Sequence, residues 1–174
     1  MASKLLNRVG YSILKRKIGK AELGEIENSF ISNSVDFAFL MPENFNEFED
    51  ALEIAKYFKI HKKNCTLFLF ETSYSRVGDE YFNLVPYNKL DTNKFGLPGK
   101  VTMEKIRNRD FDVLINFNRE ADLFTLGMIA NINAKYKIGF WNNKLENFYN
   151  FSIKTEERIS EISYRKLLNS LQMF

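Results

Sequence analysis

The sequence is poor in the side chains that most reaction chemistry depends on. Its 174 residues hold one Cys, one His and one Trp. A lone cysteine, Cys65, forbids an internal disulfide and any thiolate-rich metal site, and it fits a reducing, cytoplasmic setting. A lone histidine, His61, forbids a multi-histidine metal site and leaves one candidate for a Ser-His-Asp relay. Long apolar runs are also missing. The longest, Leu123–Ala130, already contains Thr125 and Gly127, so no transmembrane segment is expected. Near the N-terminus there is neither an apolar h-region nor a small-residue cleavage site, so no secretory signal is expected. Glycine-rich phosphate loops are absent, both as a dinucleotide fingerprint and as a P-loop. The first strand-to-helix turn, Met41-Pro42-Glu43-Asn44-Phe45-Asn46, has no glycine and an acid at its mouth, so no nucleotide cofactor is expected.

What is present reads as a folded domain. Hydrophobic residues make up 45% of the chain and charged residues 27%, which is globular rather than disordered composition. The 19 Asn and 17 Lys are scattered and form no tract. Charge is uneven. Residues 1–20 carry Lys4, Arg8, Lys15, Arg16, Lys17 and Lys20 and no acid, so this segment is +6 within a chain of net +3. A mildly acidic body with a basic N-terminal arm argues against nucleic-acid binding by the body. It leaves the arm, through Lys4, Arg8, Lys15, Arg16 and Lys17, as the expected contact with a macromolecular partner, a membrane surface or RNA.

Periodicity places the elements. The arm reads as a helix from about Ser3 to Lys17, with Leu5, Leu6, Val9 and Ile13 at helical spacing, followed by a joint over residues 19–34. Val35–Met41 is a strand apolar on both faces. Asn44 is placed to cap the next helix, with Glu47 in capping-box position, and Phe48, Ala51, Leu52, Ala55 and Phe58 form its buried stripe. Cys65–Phe70 completes a βαβ unit. Residues 71–101 look irregular, with a short strand near Phe82–Val85. A short helix around Thr102–Asn108 precedes a strand at Asp112–Phe117. A helix apolar nearly all round follows over Glu120–Asn133, where Gly127 marks close packing. Strands at Lys135–Trp141 and Phe148–Ile153 come next. A last helix is capped by Thr155, with Ile159, Ile162, Leu167, Leu168 and Leu171 inward. The expected fold is a three-layer, Rossmann-like α/β domain over residues 35–174, with a mostly parallel sheet of five to six strands.

In such a sheet, ligands bind beyond the carboxyl ends of the strands, where strand order reverses. The loops concerned are Pro42–Asn46, Glu71–Arg76, Asn116–Asp122 and Trp141–Asn143. The candidate ligand-binding residues are therefore Glu43, Asn44, Asn116, Asn118 and Arg119, with Glu120 beside them. The plainer reading makes Asn44 and Asn118 helix caps and the charges solvated. His61, among lysines at a helix end, reads as a solvated terminal residue, and Cys65 as an inert core thiol. The adjacent acids Glu49-Asp50, Asp79-Glu80 and Glu156-Glu157 point in different directions and form no hydrolase dyad. Tyr74, Tyr81, Phe82 and Tyr87 could form a contact surface.

The stretch Phe111-Asp-Val-Leu-Ile-Asn-Phe-Asn118, an apolar helix, and then Asn133-Ala-Lys-Tyr-Lys-Ile-Gly-Phe140 resembles the N-terminal Rossmann-like half of heptosyltransferase-like (GT-B) glycosyltransferases. The whole is similar to a group of short bacterial proteins consisting of this half-domain alone, in which the irregular segment carries a pattern like Asp91-Thr-Asn-Lys-Phe-Gly-Leu-Pro98. The resemblance covers residues 35–141 and implies a Rossmann-like fold with a history of sugar or nucleotide binding. Those enzymes carry a Gly-Asp pair after the first strand, whose Asp is taken as the base, and a second domain for the donor. Here Pro42–Asn46 lacks the pair, Gly78-Asp79 follows the second strand, and the length matches one half. The expected function is thus a non-catalytic binding or scaffold module with no catalytic residues and no cofactor. The alternative is small-molecule binding at the switch-point loops, and a third reading is RNA, ribosome or membrane-surface contact through the arm.

Overall fold

The computed structural model describes residues 2–18, 25–78, 82–120, 122–141 and 146–174. Six strands, β1 (Asp36–Leu40), β2 (Asn64–Phe70), β3 (Asn83–Tyr87), β4 (Asp110–Asn116), β5 (Asn133–Phe140) and β6 (Phe151–Ile153), form one sheet. Its order is β3-β2-β1-β4-β5-β6 and every neighbouring pair is parallel. β1 lies centrally because Phe37, Ala38, Phe39 and Leu40 are buried on both faces, which only a strand covered by two helical layers can sustain. The chain goes from β1 to β2 on one side and returns to place β4 on the other. The switch point therefore lies between the carboxyl ends of β1 and β4.

Among the described residues, six helices accompany the sheet: α1 (Ala2–Ile18), α2 (Phe30–Asn33), α3 (Phe45–Ile60), α4 (Lys100–Ile106), α5 (Leu123–Asn131) and α6 (Ser160–Leu171). On one face, α3 and α6 pack over Phe37, Phe39, Leu67, Val113, Ile115, Phe117, Ile138 and Phe140. The expected stripe Phe48, Ala51, Leu52, Ala55 and Phe58 is buried there in full. On the other face, α1, α4 and α5 pack over Ala38, Leu40, Phe68 and Leu114. The result is a three-layer Rossmann-like α/β fold.

The segment that looks irregular in sequence is held by short-range hydrogen bonds. After β2, Glu71–Arg76 forms a 3₁₀ turn. The Asn93 side-chain oxygen accepts from the backbone N–H groups of Phe95 (2.9 Å) and Leu97 (3.2 Å), and Gly96 takes φ +78°. Asp91 holds the start of α4 by accepting from the Thr102 N–H at 2.5 Å. This tight loop is the seat of α1. A Cβ on Gly10 would sit 2.9 Å from Leu123 and closer still to the Phe95 carbonyl, so only glycine lets the helix approach. Gly127, as expected from its place in a buried helix, has Pro98 packed against it.

The helical spacing leaves open which face of α1 meets the body: Gly10 and Leu14 are buried and Tyr11 and Ile18 half-buried, while Leu6, Val9 and Ile13 are 36%, 41% and 42% exposed. Its domain-facing side is thus the one with the glycine. α6 begins at Ser160, without a side-chain cap, rather than at Thr155. The Thr155 hydroxyl bonds Ser163 at 3.0 Å and accepts from the Glu157 N–H. In consequence Ile159 and Ile162 face outward, while Leu167 and Leu171 enter the core. Phe82 and Tyr87 are core residues rather than a contact surface, and Tyr74 is exposed. The expected joint lies in part outside the described residues, as do Asp79, Glu80, Tyr81 and the end of the Trp141–Asn143 loop.

Candidate functional site

The turn after β1 and the turn after β4 diverge over the switch point and leave a cleft of about 760 Å³. Pro42, Glu43, Asn44 and Glu47 line one side, Asn118, Arg119, Glu120 and Asp122 the other. Lys89, Thr125, Phe140, Trp141 and Thr155 complete the lining. Four of the five candidate residues, Glu43, Asn44, Asn118 and Arg119, thus come together.

Asn116 does not reach the cleft. It is fully buried beneath it, donating from Nδ2 to the Tyr149 hydroxyl at 2.7 Å and to the Asn118 carbonyl at 3.3 Å. Its Oδ1 accepts from both the backbone N–H and the Nδ2 of Asn118, at 3.2 and 2.8 Å. Asn118 also donates to the Leu40 carbonyl at 3.3 Å. These two amides lock the end of β4 to the end of β1, so they build the cleft floor rather than offer free groups. Asn118 is not a helix cap; Asp122 caps α5, accepting from the Thr125 N–H at 2.8 Å. Asn44 is a cap, accepting from the N–H groups of Asn46 and Glu47 at 3.0 and 3.3 Å. Glu47 turns away from the capping-box arrangement towards Arg119, 3.6 Å away.

Both cations of the cleft are already partnered. Lys89 sits 2.9 Å from Glu43 and 2.8 Å from Asp122, bridging the two walls. Burial alone would lower its pKa, but the bonds to Asp122 and Glu43 outweigh burial and raise it. Burial likewise works against the Asp122 carboxylate, and the Lys89 bond with the Thr125 N–H holds its pKa below the ordinary value. Arg119 donates to the carbonyls of Arg158 (3.3 Å) and Glu157. Those bonds hold residues 157 and 158 across the cleft edge and explain why α6 starts late. Burial raises the pKa of Glu47, with Arg119 opposing the shift and Glu120 and Asp50 adding to it.

The lining therefore holds four carboxylates, Glu43, Glu47, Glu120 and Asp122, against two cations that are each tied to protein oxygens. Such a surface repels phosphate and offers acceptors to hydroxyl or ammonium donors. Trp141, the one Trp of the chain, stands at the rim, 38% exposed, with the Lys154 ammonium 5.4 Å from its ring centroid.

Sequence reasoning missed Lys89, Glu47, Asp122, Thr125, Trp141 and Thr155 as lining residues. Trp141 and Asp122 lay within loops named for the switch point, so the same rule could have found them. Lys89 follows β3, a strand with weak patterning, and Thr155 follows the three-residue β6. The loop after β2 was expected at the site and is not; its Arg76 stacks 4.3 Å from the Phe45 ring centroid instead. His61 is an exposed helix terminus whose ring lies 4.2 Å from Tyr57. Cys65 is buried, and burial pushes its thiol up to about 12, which makes it inert. Among the basic residues of α1, Arg8, Lys15 and Arg16 are exposed and Lys17 bonds the Asn131 side chain; the side chain of Lys4 lies outside the described residues. Among the described residues no group of three or more His, Cys, Asp or Glu is set to hold a metal ion.

A family of unknown function, DUF6913, matches residues 8–174, nearly the whole chain, and the chain belongs to it. No curated protein and no solved structure matches the sequence.

Proposed function

We propose that the protein is a non-catalytic binding module whose switch-point cleft takes a small hydroxyl-rich ligand, an uncharged or amine-bearing sugar. The observation that carries this reading is the cleft between β1 and β4, open at about 760 Å³ and rich in hydrogen-bond acceptors. Glu43, Glu47 and Glu120 supply acceptors for sugar hydroxyls, and Trp141 supplies a flat apolar face at the rim. A nucleotide or a free phosphate fits poorly, because Lys89 and Arg119 are both neutralised within the protein. The reading agrees with the heptosyltransferase-like resemblance of residues 111–140, whose family handles sugars. It departs from that family in expecting no turnover, since the Gly-Asp pair has no counterpart after β1.

The test is a thermal-shift screen of neutral sugars, amino sugars, nucleotide-sugars and inorganic phosphate. A ligand at ~100 times its dissociation constant stabilises by ~2.7 kcal/mol. Because the cleft holds the only Trp, binding should also change the intrinsic indole fluorescence. The expected result is a shift with one or more sugars that Glu47→Gln weakens at least tenfold. No shift with any sugar, or a shift only with phosphate-bearing compounds, overturns the reading.

A further inference from the structure

α1 is fixed to the body along one face only. Gly10 and Leu14 are buried, Tyr11 and Ile18 half-buried, and Lys17 reaches the Asn131 side chain of α5. The neighbouring face, about a third of a turn round the helix, carries Leu6, Val9 and Ile13, spaced three and four residues apart, so they form one exposed apolar stripe. In helical projection Arg16 borders this stripe on one side and Lys17 on the other. Arg8 and Lys15 lie further round, and residues 1–20 contain no acid. A stripe of branched aliphatics bordered by bases needs a partner that is at once anionic and apolar just below its charge.

We infer that the exposed apolar stripe of α1 docks on an anionic lipid bilayer, the helix lying in the plane of the headgroups with Leu6, Val9 and Ile13 inserted and Arg16 beside them on lipid phosphates. An RNA would use the bases and leave the apolar stripe idle, and the outer face offers no aromatic ring for base stacking. A specific protein interface is built around buried Trp, Tyr or Arg anchors, whereas this stripe holds three medium-sized aliphatics on a convex surface. A bilayer asks only for an apolar stripe plus positive charge, and the two signals together give reversible attachment that neither gives alone. The close seating of Gly10 under the Phe95 carbonyl holds the stripe outward, so little ordering is needed on docking. This inference is independent of the cleft ligand.

The test is co-sedimentation of the full chain with vesicles of phosphatidylcholine alone and of phosphatidylcholine with 30% phosphatidylglycerol, at low and high salt, with poly(U) in parallel. The expected result is binding to the anionic vesicles at least tenfold stronger than to the neutral ones, weakened by salt. Each base near the surface contributes about fivefold, so Arg16→Gln, at the border of the stripe, should cost about fivefold, and Lys15→Gln, on the far side of the helix, should cost less. Ile13→Asp should cost at least tenfold at unchanged net folding, checked by circular dichroism; Ile13→Ser serves if the Asp variant melts early. Equal binding to both vesicles, or none, overturns the inference. Loss on removing the bases with no loss on changing Ile13 overturns insertion, and poly(U) binding tighter than the vesicles assigns the surface to RNA instead.

Discussion

The two helical layers on this sheet share ring packing but differ in how much room they leave. Under α3 and α6 the contact is made by large rings: Phe39 and Phe117 stack at 5.5 Å, Phe37 and Phe58 meet at 4.8 Å, and Phe140 meets Tyr164 edge-on at 5.3 Å. Under α1, α4 and α5 rings meet as well, Phe70 and Tyr87 at 4.6 Å and Tyr87 and Phe124 at 5.8 Å, but here glycines add tight approaches: Gly10 to the Phe95 carbonyl, Gly127 to Pro98 and Gly139 to the Tyr149 ring, each at a place where a methyl group has no room. That second layer also contains a charge. Lys137 on β5 donates to the Ile129 carbonyl at 2.7 Å with no carboxylate partner among the described residues, and its pKa falls to about 8 through burial and the nearby Lys17. The first layer tolerates addition poorly and deletion worse; the second is damaged by the smallest addition. Both layers are packed to the density of an interior, and the second has the added constraint that three positions admit no side chain.

Three substitutions sharpen this contrast. The largest effect is expected from emptying the ring layer: Phe117→Ala should destabilise by about 3–5 kcal/mol, seen as a fall in the urea midpoint. It also loosens Tyr164, whose hydroxyl donates to the Phe117 carbonyl at 2.5 Å. The glycine layer should break in the other direction. A Cβ on Gly139 would lie 2.6 Å from the Tyr149 ring, so Gly139→Ala should cost about 1–3 kcal/mol through overpacking. Because Tyr149 accepts from Asn116, that variant should also weaken ligand binding in the cleft; an unchanged affinity would separate the amide pair from the site.

The third variant reverses sign. Lys137→Met should stabilise the protein at pH 7 by about 1–3 kcal/mol, since it removes a desolvated charge. The folded pKa near 8 lies below the unfolded value near 10.5, so the unfolded chain binds more protons between those values. Wild-type stability therefore rises with pH through that window on account of this group. Below pH 8 both states are charged and the burial penalty is present in full. The advantage of the variant should accordingly be constant below pH 8 and shrink as pH approaches 10.5. An advantage independent of pH would mean that Lys137 reaches water.

Legibility followed the range of the forces involved. β1, β2 and β4 could be read because a strand buried on both faces needs consecutive apolar residues, whatever its neighbours. α3 could be read because its stripe and its Asn44 cap are local. The turn residues 93–97 could not, since an Asn side chain closing on its own backbone leaves no hydrophobic period. α6 starts later than its Thr155 signal suggests because Arg119, nearly forty residues earlier, donates to the Glu157 and Arg158 carbonyls, which a helix begun at Thr155 would have used to accept from its own N–H groups. In the site, Glu43 and Asn44 follow β1 directly and were found by rule, as were Asn118 and Arg119 after β4. Lys89 was not, because the strand that delivers it carries Pro86 and lies at the sheet edge.

Residue type and order alone establish the alternation of strands and helices, the shortage of metal-binding and nucleophilic side chains, and the basic charge of the arm. All three depend on residue type and spacing along one segment. Long-range packing settles which face of α1 is covered, that Asn116 supports the cleft while Asn118 lines it, and that Lys89 and Arg119 are spent on protein oxygens. Each of those outcomes depends on what a distant segment brings to the same few ångströms, and that proximity is set by the packing of the whole chain.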